Sequence, residues 1–131
     1  MINGYKQLIV WQKSKQLAVA VYKLTEKFPR EEIFGLTSQM RRAAVSIPSN
    51  IAEGRMRGTK KDFLSFLRIA YGSGAELETQ LEISKEVFKK ISPDYTLVVS
   101  LLEETMKMLN VMIRKMNPEF SQANEAKEVK S

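Results

Sequence analysis

Apolar residues along the chain recur at alternating intervals of three and four, which is the spacing of one face of an α-helix. The longest such stripe extends from Phe63 to Ile91 and keeps its spacing throughout. A sustained repeat of about 3.5 residues is typical of helices that pack in bundles with nearly aligned axes. Shorter stripes precede and follow it, and no alternating strand pattern competes with them. The pattern therefore predicts an all-α fold.

Proline and glycine signals divide the pattern into four helices, predicted over about residues 6–27, 36–57, 60–91 and 93–117. Pro29 ends the first helix, Gly58 ends the second, and Pro118 follows the end of the last. Because the links are short, we expect neighbouring helices to be antiparallel, giving an up-and-down four-helix bundle over residues 1–118. Residues 119–131 are polar, and we expect a disordered tail there.

Six positions carry local predictions. Pro48 lies inside the second helix, where a proline removes a backbone donor, so we expect a kink or a local break. Thr59 is a natural N-cap for the third helix. Ser92 is predicted to cap the fourth helix, with Pro93 at its first position. Gly72 and Gly74 lie within the third helix, Gly74 on its apolar stripe, and together they predict a close helix crossing.

The first helix is apolar on every side over residues 17–22. A helix on the outside of a monomeric bundle should instead present a polar face to solvent. We therefore expect a second buried face on this helix, formed by contact with another subunit.

The composition narrows the possible chemistry. Neither cysteine nor histidine occurs, which excludes disulfides, thiolate metal sites and histidine general bases. Glu76, Glu78 and Glu82 cluster on the third helix, but the Glu-x-x-His motif of dimetal bundles is absent. We predict a protein that is not an enzyme and that has no metal or cofactor. Without an apolar run of about 18 residues or a signal-like start, we also predict a cytoplasmic location.

The positive charge is concentrated in one part of the chain. Net charge is +6, and residues 36–61 hold six basic residues against Glu53 alone. The six are Arg41, Arg42, Arg55, Arg57, Lys60 and Lys61. The last four lie at a helix–helix corner beside the start of the third helix, which suits phosphate binding. No aromatic residue is interleaved there, so base stacking is not indicated. A merely solvated charged corner is the alternative interpretation.

Polar residues also form a flank beside the core stripe of the second helix. Ser46, Asn50 and Glu53 lie on this flank, near Arg42 on a helical projection. We interpret them as a structural hydrogen-bonded network that fixes register, and we assign Glu76 and Glu78 of the third helix to the same structural role.

Three blocks of sequence resemble a known family. They lie within residues 5–11, 28–54 and 70–81, and the most specific is Ser-Ile-Pro-Ser-Asn-Ile-Ala-Glu-Gly at residues 46–54. The chain resembles the four-helix bundle proteins encoded within intervening sequences of bacterial 23S ribosomal RNA genes. The resemblance implies an antiparallel four-helix bundle, a ring-shaped homopentamer with a central channel, and no established activity. Similarity of this fold to accessory proteins of diversity-generating retroelements implies binding to nucleic acid or to a reverse transcriptase.

Two functional hypotheses follow. The first is an oligomeric basic scaffold that binds nucleic acid, structured RNA in the first place and DNA as the alternative, through phosphate contacts. The second is a protein–protein adaptor with little nucleic-acid contact, whose partner is a nucleic-acid-processing protein. Its motivation is the all-round apolar stretch of the first helix.

Overall fold

The computed structural model describes residues 4–117, which form four α-helices and two short 3-10 turns, without any strand in that range. The helices are α1 (Ile9–Thr25), α2 (Leu36–Met56), α3 (Lys60–Val87) and α4 (Thr96–Met116). The 3-10 turns are Tyr5–Gln7 and Arg30–Glu32. The prediction of an all-α chain with four helices is confirmed. The predicted tail, residues 119–131, lies outside the described residues.

The four helices pack side by side around one apolar core. Each helix lies against the next along the chain, and α1 also lies against α4, whereas within the described residues the backbones of α1 and α3, like those of α2 and α4, stay further apart. The most extensive of these contacts joins α2 to α3. Fully buried aliphatic side chains from every helix fill the centre, among them Leu17, Ile47, Leu77 and Leu109. No helix in residues 4–117 combines the length and apolarity that crossing a membrane requires.

The predicted stripe of α3 is buried from Phe63 to Phe88, but the helix is shorter than predicted. It ends at Val87, because Phe88 leaves helical geometry with φ −107° and ψ 32°. Phe88 still packs into the core, where its ring centroid lies 4.7 Å from that of Phe28. Ile91, the last residue of the predicted stripe, lies in the following turn and is exposed.

The start of α4 was predicted wrongly. The helix begins at Thr96, three residues after Pro93, and Ser92 does not cap it. Ser92 has φ +50°, a left-handed conformation that starts no helix. Instead, the carboxylate of Asp94 accepts a hydrogen bond from the amide of Thr96 at 3.0 Å. Two hydrogen bonds from Thr96 lower the pKa of Asp94, because they stabilise the charged carboxylate. The larger effect comes from the side chain of Thr96 and the smaller from its backbone.

Two other local predictions had opposite outcomes. Thr59 caps α3 as predicted, since its Oγ1 accepts a hydrogen bond from the amide of Asp62 at 3.1 Å. At Pro48 the local break does not occur, since α2 continues to Met56, and the alternative of a kink within the continuous helix stays a prediction. A proline removes only one helical hydrogen bond, here the one to the carbonyl of Ala44. The buried side chains of Ile47 and Ile51 on either side of Pro48 hold this turn against the core.

Glycines mark the closest helix crossings. A Cβ atom at Gly54 of α2 would lie 2.5 Å from the Cβ of Phe66 on α3. A Cβ at Gly74 of α3 would collide with the sulfur of Met106 on α4. By contrast, Gly72 has open space where its Cβ would point. The closest backbone approach is therefore at Gly54, whereas Gly74 packs against a flexible side chain of α4 and Gly72 marks no crossing.

A pair of glycine substitutions tests the α2–α3 crossing. We expect Gly54→Ala to lower the free energy of unfolding by about 1–3 kcal/mol, because the new methyl group meets a Cβ atom that moves only with the backbone. Gly72→Ala should raise it by about 0.5–1 kcal/mol, because alanine favours the helix and no contact opposes it. Urea denaturation followed by circular dichroism measures both. Equal stabilisation by the two substitutions would contradict the close crossing.

Candidate nucleic-acid interface

The turn between α2 and α3 places four cationic side chains together. We call Arg55, Arg57, Lys60 and Lys61 the basic corner, and all four are exposed. The link between the helices comprises only residues 57–59. Gly58 makes this possible, since its φ of +88° is a conformation that residues with a side chain rarely adopt. The four charges therefore occupy one end of the α2–α3 pair, as the sequence predicted.

Aromatic rings beneath the basic corner support its two arginines. The guanidinium of Arg55 lies 5.7 Å from the ring centroid of Phe63, and that of Arg57 lies 5.2 Å from the ring centroid of Phe66. Cations over aromatic faces at these distances are attracted to the ring. These contacts were not predictable from the sequence, because both rings belong to α3 and approach the arginines only across the turn.

One of the four cations has an acidic partner among the described residues. Arg57 Nη2 lies 3.1 Å from Glu53 Oε1, and both side chains are about half exposed. An exposed pair one helical turn apart contributes little, about 0.3–0.5 kcal/mol. Glu53 was assigned to the structural network, but its described partner is this arginine. Arg55, Lys60 and Lys61 form no ion pair with the described residues.

The first turn of α3 is a weaker anion-binding site than a helix N-terminus with free amides would be. The amide of Asp62 already donates to Thr59 Oγ1, and the Asp62 carboxylate lies in the same turn. A carboxylate there interacts favourably with the helix dipole and competes with an external anion. Anion binding at this corner therefore depends on the cationic side chains rather than on the helix amides.

Arg41 and Arg42 do not belong to the basic corner. They lie in the first part of α2, about 20 Å from Arg55 along the helix axis at a rise of 1.5 Å per residue. Arg41 joins α2 to the end of α1: its Nε donates to Thr25 Oγ1 at 2.8 Å, and its Nη2 donates to the carbonyl of Tyr22 at 3.4 Å. Its guanidinium also lies 4.6 Å from the ring centroid of Tyr22. The six cations predicted as one interface thus form two groups.

The second group borders a cleft between α1 and α2, which we call the α1–α2 cleft. Its volume is about 460 Å³, and Arg41 and Arg42 line it together with Tyr22, Ile33 and Ser46. None of the residues that line it is acidic. Arg42 is exposed, whereas Arg41 is partly buried by its contacts with α1. The cleft is therefore bordered by two arginines, and Arg41 is held in place by its hydrogen bonds to α1.

Part of the predicted polar network lies at the α2–α3 contact. Asn50 Nδ2 donates to the carbonyl of Ser46 at 2.8 Å and to its Oγ at 2.9 Å. Ser46 Oγ lies 2.8 Å from Ser73 Oγ of α3, a hydrogen bond that joins the two helices. Ser73 was not among the predicted residues, although it stands between the two glycines that suggested a close crossing.

The carboxylates of α3 lie outside this hydrogen-bonded group. Glu76 accepts a hydrogen bond from Gln80 Nε2 at 3.4 Å, one turn further along the same helix. Glu78 is exposed and borders a shallow cleft between α3 and α4, beside Glu82 and Lys85. Within residues 4–117, no cluster of three or more acidic side chains has the arrangement that holds a metal ion.

Substitutions at two adjacent arginines test which of them anchors α2 to α1. We expect Arg41→Ala to lower the free energy of unfolding by about 1–2 kcal/mol, because it removes hydrogen bonds from a charged donor to α1. Arg42→Ala should change it by less than about 0.5 kcal/mol, because the side chain is exposed. Urea denaturation of both variants measures the difference. A loss at Arg42 as large as that at Arg41 would contradict this assignment.

Comparisons with known proteins agree with the fold and with the sequence motifs. Residues 6–111 match the sequence model that describes the 23S rRNA-intervening sequence proteins. The chain is also similar to a crystal structure of a protein with unknown function from the S23 ribosomal protein family of Bacteroides thetaiotaomicron VPI-5482. The two are 26% identical with a TM-score of 0.67, over 80% of this chain and 98% of that chain. No curated protein matches the chain. Because the matched residues make up most of its length, the chain belongs to the 23S rRNA-intervening sequence protein family.

Proposed function

We propose that the protein is a non-enzymatic scaffold that binds nucleic acid, in the first place structured RNA, through phosphate contacts at the basic corner. The observation that carries the proposal is the corner itself. Four exposed cations lie within seven residues, and the one described ion pair among them is the weak Arg57–Glu53 pair. An anionic backbone is the partner whose charge complements such a surface.

The contacts of the two arginines suit a rigid phosphate-binding surface. A guanidinium held over a ring keeps its planar donors in place, so less side-chain entropy is lost when it binds a phosphate oxygen. Lys60 and Lys61 add charge on flexible side chains. Phosphate contacts determine the position of a nucleic acid without reading its sequence. The proposed binding is therefore weakly sequence-specific and strongly dependent on salt.

The proposal includes an antiparallel bundle that assembles into a ring-shaped homopentamer. In support of the antiparallel order, the end of α1 bonds to the start of α2 through Thr25 and Arg41. Between α2 and α3, Ser46 pairs with Ser73, while Gly54, further along α2, meets Phe66, which is earlier on α3. In support of assembly, Val19 of α1 remains exposed within its apolar stretch. A ring would repeat the basic corner five times, so that weak phosphate contacts add by multivalency.

A second candidate function is that of an adaptor for a nucleic-acid-processing protein. The observation that favours it is a mostly apolar groove between α1 and α4, lined by Leu8, Ile9, Met108, Val111 and Met112. Ile9 is 63% exposed and Val111 is 48% exposed. A pull-down after nuclease treatment separates the two functions. An adaptor retains its protein partner and loses it on Ile9→Asp, whereas a nucleic-acid scaffold retains none.

Charge reversal tests the proposed function. We expect the quadruple variant R55E, R57E, K60E and K61E to lose binding to a blunt RNA hairpin in a gel-shift titration at several salt concentrations. For the wild type, the logarithm of the binding constant should fall with the logarithm of salt, with a slope of about −0.7 to −0.9 for each phosphate contact. The matched control reverses four exposed lysines outside the corner, Lys15, Lys23, Lys89 and Lys90. The proposal fails if the wild type does not bind at low salt, or if control and corner variants weaken binding equally.

The oligomeric state is tested separately by multi-angle light scattering. We expect a single species with five times the mass of one chain, because the exposed apolar side chains of α1 and α4 become buried between subunits. Val19→Lys should reduce this mass, because it places a charge on the exposed apolar stretch of α1. A wild-type mass equal to one chain would remove the pentamer and the multivalency with it.

A further inference from the structure

The chain presents aromatic surface at the end of α2 that is remote from the basic corner. Phe34, in the short link before α2, is 95% exposed. It follows Ile33, which lines the α1–α2 cleft and is 52% exposed. Tyr22, on the α1 side of the cleft, is 44% exposed. Phe34 is therefore an almost fully exposed phenylalanine next in sequence to a residue of a cleft lined by two arginines, whereas at the basic corner Phe63 is buried and Phe66 is partly buried.

The geometry points to an unpaired nucleotide as the occupant of the α1–α2 cleft. This inference rests on the proposed function and deepens it: the RNA held at the basic corner also carries a single-stranded segment that reaches the cleft. Arg41 and Arg42 bind its phosphate. Phe34 and Tyr22 provide surfaces on which a base stacks.

Arg41 is already oriented for such a contact. Two of its nitrogen atoms donate to α1, and its plane lies near the Tyr22 ring, so the guanidinium is held before any ligand arrives. A guanidinium has five N–H donors, so others remain for a phosphate oxygen. Its charge is not neutralised locally, because no acidic residue lines the cleft. Arg42, exposed and next in sequence, adds a second positive charge at the rim.

The aromatic residues favour a nucleotide over a simple anion or an acidic peptide. A phosphate ion or a carboxylate would use the arginines and leave Phe34 in water. Every base has a flat face that stacks on aromatic side chains, and proteins that bind single-stranded RNA combine such rings with cationic side chains. The cleft, at about 460 Å³, falls within the size range of small-molecule sites.

The distance between the two sites suits one RNA molecule. Arg42 and Arg55 belong to the same helix and lie about 20 Å apart along its axis. This length is less than one turn of an A-form RNA helix. A short stem bound at the corner can therefore place an adjoining unpaired strand at the cleft, and α2 fixes the separation because it is one continuous helix.

Fluorescence anisotropy with three labelled RNAs tests the inference: a blunt hairpin, the same hairpin with a six-uridine 3′ overhang, and hexauridylate alone. We expect the overhang to tighten wild-type binding roughly fivefold or more, which is the effect of stacking one base. Phe34→Ser should abolish this gain and leave binding of the blunt hairpin unchanged. The control is Val87→Ser, at an apolar residue at the end of α3 that is 61% exposed, which should change neither. Arg42→Ala should reduce the overhang gain as well.

The outcomes separate this inference from the proposed function. If the blunt hairpin binds and the overhang adds nothing, or if Phe34→Ser weakens both hairpins equally, the cleft does not take a nucleotide, while the corner still binds RNA. If hexauridylate binds, is lost on Phe34→Ser and is unaffected by reversal of the corner, while the blunt hairpin does not bind, the inference holds and the corner proposal fails. If no RNA binds at low salt, both are overturned.

Discussion

The rest of the structure depends on how closely α2 packs against α3. At Gly54 the two backbones approach so closely that the space a methyl group would need is taken by Phe66. Further from the turn between the two helices, the hydroxyl oxygens of Ser46 and Ser73 lie 2.8 Å apart, which requires small side chains on both helices. The same proximity permits a link of only residues 57–59, with Gly58 in a left-handed conformation. Without this close packing, the charges of Arg55, Arg57, Lys60 and Lys61 would not share one corner.

The interactions of α2 distribute its positive charge between two places with different surroundings. At the end of the helix, Arg55 and Arg57 lie over phenylalanine rings, and their charge faces solvent beside two lysines. Near its start, Arg41 is hydrogen-bonded to α1, and Arg42 borders a cleft that the partly exposed ring of Tyr22 also lines. The first arrangement matches a repeating phosphate backbone. The second matches a ligand that has both charge and a flat apolar face. One continuous helix sets the distance between them, because Pro48 does not interrupt it.

The sequence predicted the helices well, because each has a long apolar stripe whose burial depends only on spacing. From Phe63 to Phe88 the stripe and the buried residues coincide. Helix ends were harder. In Ser92-Pro93-Asp94, both Ser92 and Asp94 are of types that commonly cap helices. The side chain that accepts a hydrogen bond from the first turn is that of Asp94, whereas Ser92 has a left-handed backbone conformation. A kink or a local break was expected at Pro48; the break is absent because the neighbouring residues are buried, and their packing outweighs the loss of one hydrogen bond.

The candidate site was only partly predictable, because charge counted along a sequence carries no distance. Arg41 and Arg55 were counted together in the net charge of residues 36–61, yet they lie on one helix about 20 Å apart. The rings of Phe63 and Phe66 and the hydroxyl of Ser73 come from α3, so their contacts with α2 depend on the crossing of the two helices. The sequence did not indicate Phe34 as a candidate, because its exposure is a property of the fold.

The central claim is that RNA contacts both ends of α2, and hydrogen exchange with mass spectrometry tests it most directly. The protein alone is compared with the protein bound to a hairpin that carries a single-stranded overhang. The account predicts slower amide exchange in residues 30–36, before and at the start of α2, and in residues 55–60, at the corner, with no change along the groove between α1 and α4. Protection confined to residues 8–12 and 107–112, on that groove, would contradict it.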